Sequence, residues 1–332
     1  MIATTALRRT LRFGTRGSVL ARMQSRWVAA QLQRRHPGLK VQLVVCRTTG
    51  DRVVDRPLHD IGGKGLFTKE LEEALLDERV DLVVHSMKDL PVTMPLVDAS
   101  ALTIAAIPWR ADARDVLVSR DPQTLRQLRE GAVVATGSLR RRCQLLHIRP
   151  DLTVHPLRGN IDTRLAHAVR GTYDAVVLAV AGVLRANLFN PETMWVIPTD
   201  DLLPAAGQGA LAVQCRADDV ETYRLAAVLN DARTRTCVEL ERAIVHELDG
   251  DCRSPIAAYA EIEKDDVLRL RAVVGGRGGA PHVIRAQARA PMASAEDALA
   301  AVMCSLNKQH AHELLAAAAA ATTSRPLTRS VR

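Results

Sequence analysis

The chain has 332 residues, 47% of them hydrophobic and 25% charged, a balance that fits a soluble globular protein too long for one core, so two or three domains are expected. Its formal charge of +8 calls for an anionic partner, and aromatic residues at only 3% supply little for stacking single-stranded bases, which leaves a small polycarboxylate or phosphate ahead of nucleic acid. No apolar run reaches the ~20 residues that span a bilayer, and "MIATTALRRTLRF" at the N-terminus lacks the apolar stretch of a secretory signal, so a cytoplasmic protein with no membrane contact is expected.

In chain order, "LRFGTR" and "VQLVVCRT" read as strands with the helix "SVLARMQSRWVAAQLQRRH" between them. "GGKGLFTKELEEALLDERVD" reads as a loop feeding a helix, with Leu71, Ala74 and Leu75 on one face, and "DLVVHS" as a short buried strand. The middle repeats this order: strand "GAVVAT", helix "GSLRRRCQLLHIR", strand "LTVHPL", helix "RGNIDTRLAHAVRG" and strand "YDAVVLAVAG". The alternation predicts two α/β halves with parallel strands. "LLPAAGQGALAVQC" then reads as a Gly-rich turn and a strand that crosses back to the first half. In the last third, "TCVELERAIVHEL" carries a helical stripe that stops at Gly250. "IAAYAEIE", "VLRLRAVVGG" and "HVIRAQAR" read as antiparallel strands, and "AEDALAAVMCSLNK" as a covering helix. The fold class expected is therefore two α/β lobes plus a small C-terminal α+β domain. The boundaries are 1–104 with 206–230, 105–205, and 231–315, and 316–332 is expected to be a disordered basic tail.

Four strand ends deliver polar residues, and three of them deliver arginine. "VVHSMKDLP" places Ser86, Lys88 and Asp89 directly after a buried strand, where open α/β sheets bind ligands; a surface ion pair is the bland alternative. "ATGSLRRRC" places Thr136, Ser138, Arg140 and Arg141 at a helix N-terminus, which already carries positive charge. Arginines crowded there conflict locally unless an anion joins them, and a solvated basic face is the alternative. Arg158 and Arg164 in "LRGNIDTR" and Arg185 after "VVLAVAG" add further cations. "GGKGLF" lacks the Lys-Ser/Thr ending of a P-loop and reads as a loop over a cleft.

The six cysteines (Cys46, Cys143, Cys215, Cys237, Cys252 and Cys304) have no CxxC pairing or regular spacing, which speaks against a disulfide framework or a zinc site. The histidines show no metal-binding spacing either. Cys252 stands in "GDCRSP", just past a helix C-terminus and beside Asp251. Both should raise a thiol's pKa, while Arg253 opposes them. A rapidly recycling nucleophile is poorly served there; an inert loop thiol or a permanent attachment point both remain open.

Taken in order, "GTRGS", "GGKGLFTKELE", "VHSMKDLP", "GSLRRRCQL", "LRGNIDTRL", "LAVAG", "LLPAAGQGAL" and "GDCRSPIAAYAEI" resemble the porphobilinogen deaminase (hydroxymethylbilane synthase) family from about Leu11 to about Val302. The resemblance implies lobes like those of periplasmic-type binding proteins. It implies a transferase of tetrapyrrole biosynthesis, active as a monomer, that joins four porphobilinogen molecules head to tail with loss of ammonia and releases 1-hydroxymethylbilane to water. It also implies a dipyrromethane cofactor thioether-linked to the cysteine of "DCRSP", here Cys252, and an acid/base role for Asp89. Ser86, Lys88, Thr136, Ser138, Arg140, Arg141, Arg158, Arg164 and Gln208 are then expected at the cofactor, with Arg16, Ser18, Gln24, Lys64, Phe67 and Arg185 at the substrate. Three positions depart from the family pattern: Asp60 where lysine is common, Gly137 in place of a serine, and Asp251 in place of a glycine. A non-catalytic two-lobed anion receptor is the alternative; it would need the arginines but neither Asp89 nor Cys252.

Overall fold

The computed structural model describes residues 10–48, 65, 68–93, 97–98, 100–251 and 253–317. The first lobe runs β1 (Thr10–Arg16), α1 (Val19–Arg35), β2 (Lys40–Cys46), α2 (Lys69–Leu76), β3 (Leu82–Ser86) and β4 (Leu102–Ala106). β1 pairs in parallel with both β2 and β3, so Arg16 and Ser86 both emerge at carboxyl ends of the sheet. Leu82, Val83, Val84 and His85 are all buried, as a strand covered on both faces requires. Phe13, Leu11 and Leu82 close the core with Val28 and Leu32 of α1.

The second lobe runs β5 (Asp115–Ser119), β6 (Val133–Ala135), α3 (Leu139–Ile148), β7 (Thr153–His155), α4 (Ile161–Val169), β8 (Ala175–Ala179), α5 (Val180–Arg185) and β9 (Met194–Val196). β10 (Leu211–Arg216) then returns to the first lobe. The sheet orders, β2-β1-β3-β10-β4 and β7-β6-β8-β5-β9, follow one plan: three parallel strands, then an antiparallel strand, then an edge strand. Each lobe is thus a mixed sheet where the alternating pattern predicted parallel strands. β4, β5 and β9 are short strands the sequence pattern did not resolve, and α5 replaces the end of the strand predicted over "YDAVVLAVAG". The Val180 amide bonds the Arg114 carbonyl and ends the pairing, and the chain then closes into a helical turn, with the Ala186 amide on the Gly182 carbonyl.

Two connections join the lobes, 107–114 and 197–210, and they touch where the Ala111 amide meets the Gly209 carbonyl at 3.2 Å. Gly207 and Gly209 have φ of +70° and +88°, a region that favours glycine, and between them they present Gln208.

After α6 (Val220–Ala227), the C-terminal domain comprises α7 (Ala232–Glu247), the antiparallel strands β11 (Ile256–Ile262), β12 (Val267–Gly276) and β13 (Ala280–Pro291), α8 (Ala295–Lys308) and α9 (Ala311–Ala316). Its core joins Ile244, Leu268, Leu270, Val274, Val302 and Leu306. Glu241, fully buried on α7, ties this domain to the connections. It accepts from Arg110 Nη1 at 2.6 Å, from the Gly207 amide at 2.7 Å and from the Ala260 amide at 2.8 Å. Of the tail expected over 316–332, Ala316 still closes α9, and residues 318–332 lie outside the described residues.

Candidate active site

Asp89 ends a short 3-10 turn, Met87–Asp89, at the carboxyl end of β3, and is exposed. Lys88 beside it is mostly buried and donates from Nζ to Gln208 Oε1 at 3.3 Å. Burial pushes this ammonium down to about 8. Asp89 and Asp115 pull it back up, while Arg141 and Arg140 press it further down. Ser86 accepts from Gln24 Nε2 at 2.8 Å, so α1 and the end of β3 are stitched together. Ser18 caps α1, its hydroxyl accepting from the Ala21 amide at 3.3 Å, and Arg16 lies near enough to His85 to affect that ring electrostatically.

From the second lobe, Ser138 caps α3, and the Thr136 hydroxyl accepts from the Ser138 amide at 3.2 Å. Both hydroxyls therefore hold the helix entrance in shape. A Cβ at Gly137 would stand 2.8 Å from the Leu157 carbonyl oxygen, so this backbone leaves no room for the serine of the family pattern.

Arg140 and Arg141 follow, and both are buried. The anion that resolves their crowding at the helix N-terminus is in the chain itself. Asp115 accepts from Arg140 Nη2 at 2.8 Å and from Arg141 Nη2 at 2.7 Å. The other guanidinium arms go to carbonyls: Arg140 Nη1 to Leu203 at 2.6 Å and Arg141 Nη1 to Val177 at 2.9 Å. Arg141 Nε is buried with no hydrogen-bond partner among the described residues. Asp115 also accepts from Gln208 Nε2 at 2.8 Å. Burial alone would raise the Asp115 carboxyl, but Arg140 and Arg141 outweigh it and hold it far below the usual range.

Arg164 on α4 donates from Nε to the Gly159 carbonyl at 2.8 Å. Burial brings it down to about 10, with Arg141 and Arg158 adding to the effect and Asp89 opposing it, so Asp89 of one lobe and Arg164 of the other share one field. Arg185 reaches from α5 to the Gly209 carbonyl at 2.8 Å, and burial likewise lowers it to about 10.

The strand ends and the two connections thus bring Ser86, Lys88, Asp89, Arg140, Arg141, Arg164, Arg185 and Gln208 into linked surroundings. Lys64, Phe67, Asp60 and Cys252 lie outside the described residues. Beside Cys252, Asp251 accepts from Arg253 Nη2 at 2.8 Å, Arg253 Nε at 3.0 Å and the Arg253 amide at 2.9 Å, and from the Ser254 hydroxyl at 3.0 Å. The sequence reading missed Asp115. The one signal for it is an acid directly before the apolar run Val116–Val118 in "DVLVS". Among the described residues, no group of three or more His, Cys, Asp or Glu could hold a metal ion, and no helix is long and apolar enough to cross a membrane.

Residues 11–224 match the family model described as porphobilinogen deaminase, dipyromethane cofactor binding domain, and 235–305 match porphobilinogen deaminase, C-terminal domain. A curated porphobilinogen deaminase of Brevibacillus brevis is 46% identical over 266 residues, covering 80% of this chain and 84% of that relative. Among solved structures, the periplasmic aliphatic sulphonate binding protein SsuA from Escherichia coli aligns at a TM-score of 0.39 and 17% identity, over 72% of this chain and 70% of its own. The BenM effector binding domain with its effector benzoate aligns at 0.38 and 14% identity, over 66% and 88%.

Proposed function

The chain belongs to the porphobilinogen deaminase family, and from that premise we propose which of its residues carry the family's chemistry. The enzyme is a transferase of tetrapyrrole biosynthesis with a dipyrromethane cofactor. It condenses four porphobilinogen molecules head to tail with loss of ammonia and releases 1-hydroxymethylbilane by hydrolysis. Neither comparison favours the non-catalytic receptor.

The residues present fit such a cofactor. Its pyrrole rings carry acetate and propionate groups. Arg140 and Arg141 act electrostatically on Lys88, Arg141 and Arg158 act on Arg164, and the buried Arg141 Nε has no acceptor among the described residues. Lys88, Arg140, Arg141, Arg158 and Arg164 would hold the cofactor carboxylates, with Ser86, Thr136, Ser138 and Gln208 shaping their surroundings. Arg16, Ser18, Gln24, Lys64, Phe67 and Arg185 would face incoming porphobilinogen. When bound, the dipyrromethane supplies the free pyrrole carbon that the first substrate molecule extends, and Cys252 is its thioether anchor.

Asp89 carries the acid/base work. Its carboxyl gives a proton to the departing amine of porphobilinogen, and as carboxylate it faces the positive charge left on that pyrrole. The observation that carries this reading is the placement of Asp89 beside Lys88 and in the field of Arg164 from the opposite lobe. Its exposure leaves it open to substrate.

The lobes are read as 1–104 with 206–230 and as 105–205, and the C-terminal domain as 231–315; the connections 107–114 and 197–210, where the chain changes sheets, support these bounds to within a few residues, β4 running on to Ala106. A cytoplasmic monomer that binds no nucleic acid completes the reading. Incubation with porphobilinogen tests the function. Ammonia should appear in step with substrate loss, together with a linear tetrapyrrole that cyclises on standing; binding without ammonia release would instead identify a receptor.

A further inference from the structure

Two neighbouring residues on one helix point about 100° apart, yet Arg140 and Arg141 converge on the same carboxylate. Asp115 is fully buried at the first position of β5, and two buried guanidinium groups this close would repel each other without it. Its third partner, Gln208 Nε2, also donates to the Ala113 carbonyl at 2.7 Å. Both amide hydrogens are thus committed, and the amide oxygen is turned toward Lys88 Nζ. We propose that Asp115 is a positioning residue of the cleft: its buried carboxylate aims Arg140 and Arg141 and, through Gln208, holds Lys88 beside Asp89 as a charged ammonium.

The relay runs from the second lobe, through the returning connection, to the end of β3 in the first. One carboxylate shared by two arginines leaves one positive charge without a carboxylate partner among the described residues, which suits a ligand carboxylate. The charged groups acting on Lys88 are Asp89, Arg141, Asp115 and Arg140. Asp89 and Asp115 favour the ammonium, and the two arginines oppose it. Removing the Asp115 charge therefore takes away one of two supports and unmasks both opponents.

This inference rests on the cleft being the cofactor and substrate site, and its test is kept apart from that reading. Asp115→Asn keeps the shape and removes the charge, whereas Asp115→Glu keeps the charge. Two quantities are read in the cofactor-loaded protein: the alkaline limb of kcat/KM for porphobilinogen, and the pH dependence of Lys88 acylation by acetic anhydride, located by peptide mass. In Asp115→Asn both midpoints should move toward acid by on the order of one pH unit, with KM rising more than kcat falls, and Asp115→Glu should restore most of the shift. A purely structural role would lower the melting temperature and leave both midpoints in place, and that result overturns the proposal. Should Asp115→Asn fail to fold, Gln208→Met cuts the relay and leaves the arginine pairs. It should move the Lys88 acylation midpoint the same way by a smaller amount, and an unmoved midpoint is again fatal. Wild-type protein that releases no ammonia from porphobilinogen would count against the functional reading and not against the Asp115 relay.

Discussion

The Asp251 carboxylate embraces Arg253, receiving the guanidinium at 2.8 Å and 3.0 Å and the Arg253 amide at 2.9 Å. Burial alone would raise the Asp251 pKa, but Arg253 and Ser254 more than offset it, so the group stays ionised and paired. The departure from the family's glycine at this position therefore brings its own countercharge, and the free acid that the sequence placed beside Cys252 is neutralised locally. Asp251→Gly should leave cofactor loading complete, as read by intact mass. Arg253→Ala, which strips the countercharge, should slow cofactor attachment to the apoprotein more than Asp251→Gly does.

Lys88 sets an alkaline limit. Its ammonium, brought down to about 8 by burial in the ligand-free protein, is the form that can hold a carboxylate, and a bound carboxylate lifts it again, so kcat/KM should decline at a pH above that value. Lys88→Arg, whose guanidinium does not titrate there, should extend the plateau to higher pH even where the maximum is lower. The folding contribution has the opposite sense. The unfolded lysine keeps its proton up to ~10.4, so the unfolded chain binds more protons between the two values, and the stability cost of burying this ammonium is relieved as pH rises through that window.

His85 sets an acid limit. Burial pushes its ring down to about 4; the hydrogen bond with Gln214 at 2.9 Å opposes the shift and Arg16 adds to it. The unfolded ring takes up its proton near ~6.5, so the unfolded chain binds more protons below that point and stability falls with pH. Between about pH 7 and about pH 5 this one group should cost about 2 kcal/mol of unfolding free energy. Urea titrations of wild type and His85→Asn should show a loss on acidification that is smaller in the variant by that amount. Equal losses would assign the acid sensitivity elsewhere.

Asp89→Asn preserves shape and removes the proton donor. Turnover should fall by about a hundred- to ten-thousand-fold, the usual worth of a positioned acid/base, while the cofactor stays attached. Ammonia release from porphobilinogen is the measurement, and near-normal release would remove Asp89 from the mechanism.

Much of this site could be read from strand ends. Lys88 and Asp89 were visible because a polar run follows an apolar strand, and the arginines because several such ends carry one. Asp115 was not, because its partners lie 25 and 26 residues on in sequence and 93 residues on at Gln208, and no local pattern encodes a convergence of that kind. The return of β10 was anticipated from the Gly-rich turn. Its antiparallel insertion, pairing Leu211 with Ser86 and Cys215 with Leu82, is a tertiary outcome that periodicity does not carry. The arginine pair shows the same limit: the sequence left an anion at the α3 N-terminus open beside a solvated basic face, and only the fold shows Asp115 meeting the pair from within the chain.

The central claim is a covalent pyrrole primer on Cys252, and the denatured intact mass tests it most directly. Purified active enzyme should exceed its sequence mass by two pyrrole units, Cys252→Ser should lose that excess, and added porphobilinogen should raise the wild-type mass in single-pyrrole steps. Active enzyme at its unmodified sequence mass, or an excess that survives in Cys252→Ser, would contradict the account.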